Sequence, residues 1–184
     1  MLQRKLVLTV LSPIRQKLDF FFEDKYENVT APRDFVVRVL TNLQSALYMP
    51  HEVIVGYKEP VDALIFISRS KCRLYGFYKD GENNKTHKIY ILRLRTGSWF
   101  GDFQIFNNVT SMFQLEAGVK SKFKAHKNKY VNVYKLPGEK LEYMLEDYPS
   151  FRKFLLQRAL MRRSYMLKVL NENIFFNEVK QKKN

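Results

Sequence analysis

The chain holds a single cysteine, Cys72, and only three histidines, His51, His87 and His126, among its 184 residues. One thiol closes no internal disulfide, and so few scattered ligands make no Cys/His zinc cluster. Acidic residues are scarce as well: 18 Asp and Glu face 32 Lys and Arg, leaving a formal net charge of +14. An excess of that size points to an anionic partner, be it nucleic acid, an acidic protein surface or an anionic membrane leaflet. Long apolar runs are missing too. Even residues 1–11 carry Arg4 and Lys5, and Pro13 follows, so no stretch reaches the roughly 20 apolar residues that a membrane span requires. There is no P-loop, no dinucleotide glycine pattern and no metal-ligand spacing, and the carboxylates are isolated; the chain reads as a non-enzyme without a metal. Seven Gly and six Pro are too few for a collagen-like or linker-like chain. What is present is apolar mass, 46% hydrophobic and 15% aromatic residues, enough for one domain to bury a core without a staple.

Texture divides the chain into helix, then strand, then helix. Residues 2–26 have helical spacing on either side of Ser12 and Pro13, which read as the N-cap and first-turn proline of a second short helix. A third helix is expected from near Thr30, with Asp34 by its positive end and Val36, Leu40, Leu43 and Leu47 on one face. It should stop at Met49, because the residue before a proline is pushed out of the helical region. From 51 to 136 the spacing turns to short β-rich runs, at 51–55, 63–68, 72–78, 88–94, 118–123 and 130–136. Residues 79–87 form a polar hairpin loop around Asp80-Gly81. Helix returns at 140–147 and again, over a long stretch, from Pro149 to about Val169. Trp99 and Phe100 read as core aromatics, and Cys72 as a strand residue.

The segments PRDFVVRVL at 32–40, YMPHEVI at 48–54, ALIFI at 63–67, FGD at 100–102 and LEDYP at 145–149 together resemble the cyclic nucleotide-binding domain. The version they are most similar to is found in the cytoplasmic tails of voltage-gated cation channels of the hyperpolarisation-activated, plant-type and ether-à-go-go-like groups. There the domain follows a helical C-linker. LSPIR at 11–15 is similar to that linker's Leu-Pro-x-x-Leu-Arg element, with Ile14 and Arg15 on the closing pair and the proline two residues late. The resemblance implies an α+β fold, an eight-stranded antiparallel β-roll of jelly-roll type with N-terminal helices and a long C-terminal lid helix. It divides the chain into C-linker-like helices at 1–29, the binding-type domain at 30–170 and a tail at 171–184.

In that family a cassette inside the roll holds the nucleotide: backbone amides beside a turn glycine reach the cyclic phosphate, a Glu takes the ribose 2′-OH and an Arg pairs the phosphate. Carried over, the cassette is Phe100, Gly101, Asp102 and Phe103 with Gln114, Leu115 and Glu116. Gly101 and Asp102 take the Gly-Glu positions, and Gln114 or Leu115 falls where the Arg belongs. The phosphate's charge partner is therefore missing. The 24 residues between Arg95 and Lys120 contain no Lys or Arg, where the chain average would place about four. The family's turn glycines after the first two strands fall at Lys58 and Ser70, which tolerate a positive φ less well. On the lid helix, Arg158, Arg162 and Tyr165 fall where the base would be approached. In the ether-à-go-go-like group a peptide after the lid helix fills the cavity, and here 171–179, with Phe175 and Phe176, follows in that place.

A basic surface is expected from Lys120, Lys122, Lys124, Lys127 and Lys129, since alternation along a strand sets the first three on one face. The family context implies a voltage-gated potassium or cation channel. Its partners would be the other subunits of a tetramer, anionic membrane lipid and weakly held or absent cAMP or cGMP, without nucleic acid. It would sit at the cytoplasmic face of a membrane as part of an integral membrane protein. Alternatives are a genuine cAMP or cGMP sensor of a channel or sodium/proton exchanger, and a nucleotide-dependent nucleic-acid-binding regulator. The last needs a helix-turn-helix domain, and only about fifteen residues follow Val169 here.

Overall fold

The computed structural model describes residues 11–79, 85–118 and 130–181, with side chains as far as residue 176. Two short helices, α1 (Ser12–Lys17) and α2 (Asp19–Phe22), lead into a small hairpin of β1 (Glu23–Asp24) and β2 (Val29–Thr30). Pro13 sits in the first turn of α1 as expected, but Leu11 takes the N-cap position and no side chain caps it. Helix α3 (Arg33–Asn42) follows, burying Phe35, Val36, Val39 and Leu40.

The expected continuation of that helix to Met49 is not there. It ends at Asn42, whose Nδ2 donates to the Arg38 carbonyl at 2.8 Å, while Thr41 Oγ1 donates to the Val37 carbonyl at 2.9 Å. Such local side-chain bonds favour a helix end over helix interior. Leu43 turns extended, and Gln44–Tyr48 forms strand β3, leaving Leu47 63% exposed instead of on a helix face. The roll continues with β4 (Val53–Val55), β5 (Ala63–Arg69), β6 (Lys71–Lys79), β7 (Thr86–Arg95) and β8 (Trp99–Phe100). A short helix, α4 (Asp102–Asn107), separates these from β9 (Phe113–Ala117) and β10 (Val131–Pro137). Strand β9 lies just before the run expected at 118–123; of that run Gly118 is outside any strand and 119–123 lie outside the described residues, as do 80–84 of the expected hairpin loop.

Eight strands make two four-stranded sheets, β3-β10-β5-β8 and β4-β9-β6-β7, with every pairing antiparallel. This is the expected jelly-roll-like α+β architecture. Strand β5 is apolar on both faces and divides the interior in two. Leu64 and Phe66 point into a core shared with α2, α3, α5 (Gly138–Glu146) and the start of α6 (Pro149–Gln181). Ile65 and Ile67 point into the roll, where Cys72, Leu74, Phe113 and Leu115 meet Met166 and Leu170 of the same long helix.

Helix α6 therefore spans both cores. It runs past the expected end at Val169, so 171–179 is a continuation of the lid helix and not a strap after it. Phe175 and Phe176 are 63% and 62% exposed and fill no cavity. Two inward residues explain the extension. Ile174 packs against the roll core, and Asn173 Nδ2 donates to the Tyr90 carbonyl at 3.0 Å, tying this part of the helix to β7.

Candidate functional site

Strand β8 is only two residues long, and its alternation sends Trp99 to the helical core and Phe100 into the roll. Gly101 follows with φ 107°; a Cβ there would stand 2.9 Å from the Ala63 carbonyl and 2.9 Å from Val61 Cγ1. Only glycine meets both demands. The turn delivers Asp102, 5% exposed, to the start of α4.

Arg162 of α6 reaches this carboxylate directly. Its Nη1 donates to Asp102 Oδ2 at 2.6 Å, and Trp99 Nε1 donates to the same oxygen at 2.9 Å. The other arm of the guanidinium donates to the Trp99 carbonyl, and its carbon lies 4.3 Å from the centre of the indole ring. One turn earlier, Arg158 lies 5.0 Å from the same ring, donates to the Phe20 carbonyl at 2.8 Å and has Nε 3.8 Å from Asp24 Oδ2. Burial pushes the Arg158 pKa down, Asp24 and Asp102 oppose the shift and Arg162 adds to it. An arginine remains a cation regardless. Arg163 covers the Phe103 ring at 4.7 Å and reaches Met112 Sδ at 3.6 Å. Phe103, Asp102, Arg158 and Arg162 are thus brought together where α6 packs across the turn between β8 and α4.

Strand β9 splits its three expected residues by alternation. Leu115, one of the two residues expected where the family has its Arg, points inward and is fully buried in the roll core. Gln114 and Glu116 face outward and take no part in the site. Glu116 accepts from Lys88 Nζ at 2.7 Å, pairs His51 Nδ1 at 3.3 Å and contacts Gln114 Nε2 at 3.5 Å. Burial pushes its carboxyl pKa up, but the bonds and charges of Lys88 and His51 outweigh this and hold it below the ordinary value. Tyr165 is exposed and also stands apart. Lys120, Lys122, Lys124, Lys127 and Lys129 lie outside the described residues.

Sequence reasoning missed the roles of Trp99, Phe20 and Asp24. The only signal for Trp99 was its place two residues before the cassette glycine, which reads equally as core. Lys58 and Ser70, by contrast, are where the resemblance required left-handed turns, and they have φ 65° and 79°. The turn geometry is kept without the glycines, at a strain of about 1 kcal/mol each.

No family model and no curated protein sequence matches the chain. Solved structures do. The regulatory domain of Toxoplasma gondii PKA, crystallised with cAMP, superposes with a TM-score of 0.60 at 14% identity over 86% of this chain. The fold is the cyclic nucleotide-binding β-roll. The catabolite activator protein of Thermus thermophilus is a second neighbour, with a TM-score of 0.56 at 17% identity over 79% of this chain. This chain spans about half the length of the first and somewhat more of the second, 50% and 61%. Within this roll Gly101 caps α4, Asp102 begins it, and α6 lies across them.

Proposed function

We propose that this chain is a non-enzymatic regulatory domain that couples its lid helix to its N-terminal helices without needing a nucleotide. The observation that carries this reading is the bond from Arg162 to Asp102: the acid expected on a ribose is occupied by the lid helix itself. Gln114 and Leu115 support it, because neither residue aligned with the family's phosphate-pairing Arg is a cation. A charge-assisted bond contributes about 1.5 to 3 kcal/mol, so its loss alone weakens phosphate binding roughly 10- to 100-fold. Arg158 supplies a physical route for coupling, since it touches Trp99 of the cassette region together with Phe20 and Asp24 of the N-terminal segment.

The finer assignment is the cytoplasmic domain of a tetrameric voltage-gated potassium or cation channel, at the inner face of a membrane. It is supported by the order of the matched segments and by the linker-like LSPIR at 11–15. Among the described residues no helix is long and apolar enough to cross a membrane; the assignment places the pore in another part of the protein. Isothermal titration with cAMP and with cGMP tests the ligand-free reading: no heat is expected up to millimolar nucleotide. Micromolar binding overturns it and makes the domain a nucleotide sensor, the reading favoured by likeness to a domain crystallised with cAMP. The catabolite activator likeness and the +14 charge favour a third reading, a nucleic-acid-binding regulator. A salt-dependent DNA shift would establish that one; none is expected.

A further inference from the structure

Strands β6 and β7 pair with Lys71 opposite Arg95 and Arg73 opposite Arg93. Like charges directly opposite in an antiparallel pair repel, and two consecutive same-face pairs set four cations at the corners of a rectangle of about 5 by 7 Å. The inward partners Cys72 and Leu74 are buried, so this rectangle is on the outer face of the roll. Among the described residues, the carboxylate in register with it is Glu116, opposite Arg73 across β9. Both Glu116 oxygens are already taken, one by Lys88 and one by His51. Burial, followed by the positive fields of Arg93, Arg73 and Arg95, pushes the Lys71 pKa below its ordinary value. At the same end of the sheet Ser70, Lys71, Arg93, Arg95 and Thr96 line a shallow, open depression. Beside it Thr96 Oγ1 donates to the Ser70 carbonyl at 3.3 Å.

We propose that Lys71, Arg73, Arg93 and Arg95, with the Ser70 and Thr96 hydroxyls, form a binding site for a compact polyphosphate group, two or more phosphates on one small frame. Guanidinium forks pair phosphate oxygens two at a time, and clustered phosphates would relieve the cross-strand repulsion that the free protein carries. A nucleic-acid duplex needs cations spread along a groove, whereas these are gathered at one sheet end. The site lies on the opposite face of the sheet from the roll interior and is independent of whether the cassette binds nucleotide.

The test uses the full chain with inositol trisphosphate, inorganic phosphate, and vesicles containing either phosphatidylinositol bisphosphate or phosphatidylserine at equal total charge. Inositol trisphosphate is expected to bind more tightly than phosphate, and R93E/R95E to weaken it about tenfold or more. The control pair R33E/K153E changes the net charge equally at exposed positions elsewhere and is expected to leave binding unchanged. A further gain on phosphoinositide vesicles over both serine vesicles and the soluble headgroup assigns a lipid as the source; equal affinity assigns a free polyphosphate. Relief of repulsion gives a second readout: without ligand, Arg93→Gln should raise the melting temperature on the order of 1 to 3 °C. Absence of binding, equal losses in the two double variants, tighter binding to duplex DNA through the same arginines, or a fall in melting temperature for Arg93→Gln each overturns the proposal.

Discussion

Where α6 crosses the cassette, Arg162, Asp102, the Trp99 indole and the Trp99 carbonyl share one hydrogen-bonded network. On the outer face of β6 and β7, four cations stand in facing pairs while Glu116, the carboxylate in register among the described residues, bonds Lys88 and His51. In the first region the Asp102 carboxylate is already bonded to Arg162 and Trp99, so a ligand that needs this acid must displace bonds already made. In the second the acid in register is bonded elsewhere, so a ligand there adds bonds at little cost. In a protein of strongly positive charge, the informative quantity is therefore which cations have acids to meet and which lack them.

The comparison breaks most readily at Asp102. Asp102→Ala leaves the Arg162 guanidinium with only a carbonyl acceptor and Trp99 Nε1 with none, and should cost about 3 kcal/mol in urea unfolding. Asp102→Asn, which keeps an acceptor oxygen, should cost about half of that. A loss under about 1 kcal/mol for the alanine variant would mean the pair behaves as a surface ion pair, and the contrast fails.

A smaller effect is expected at Glu116, the acid that leaves Arg73 unanswered. Its folded pKa lies below its ordinary value of 4.5. The stability it contributes is thus present above pH 4.5 and is lost as the pH falls through the folded value. Glu116→Gln should flatten the acid limb of a urea-midpoint profile and leave the slope above pH 6 unchanged. An unaltered acid limb would show that Lys88 and His51 do not hold the carboxylate in the folded state.

The smallest changes expected are gains. Lys58→Gly and Ser70→Gly each remove left-handed strain and should raise stability by about 0.5 to 1 kcal/mol, read from thermal and urea unfolding. Ser70→Gly also removes one hydroxyl from the proposed anion site, so its stability gain and any loss of polyphosphate affinity can be read from one variant.

Much of the roll was legible because β5, β6, β7 and β10 are long runs whose alternation is set by burial on one or both faces. The missed strand β3 shows where pattern fails. Leu43 and Leu47 continue the helical spacing of Val36 and Leu40, yet pairing with β10 and the side-chain bonds of Thr41 and Asn42 decide for strand. The end of α6, expected near Val169, failed for the opposite reason: contacts with the roll through Ile174 and Asn173 carry the helix onward. Of the candidate site, Asp102 and Arg162 were each named from sequence, but their pairing joins residues 60 positions apart. No local signal carries such a contact. The four cations on β6 and β7 were visible as residues and invisible as a cluster until the register set them opposite each other.

The central claim is that the lid helix is closed by the chain's own side chains. Cys72 is buried, with its thiol pKa pushed up to about 12, so spin labels can be directed to cysteines introduced at the exposed positions Asn107 on α4 and Gln157 on α6. Pulsed dipolar spectroscopy should give one narrow distance distribution that saturating cAMP leaves unchanged and that Asp102→Ala broadens. A broad distribution in the unaltered sequence that narrows when cAMP is added would contradict the account.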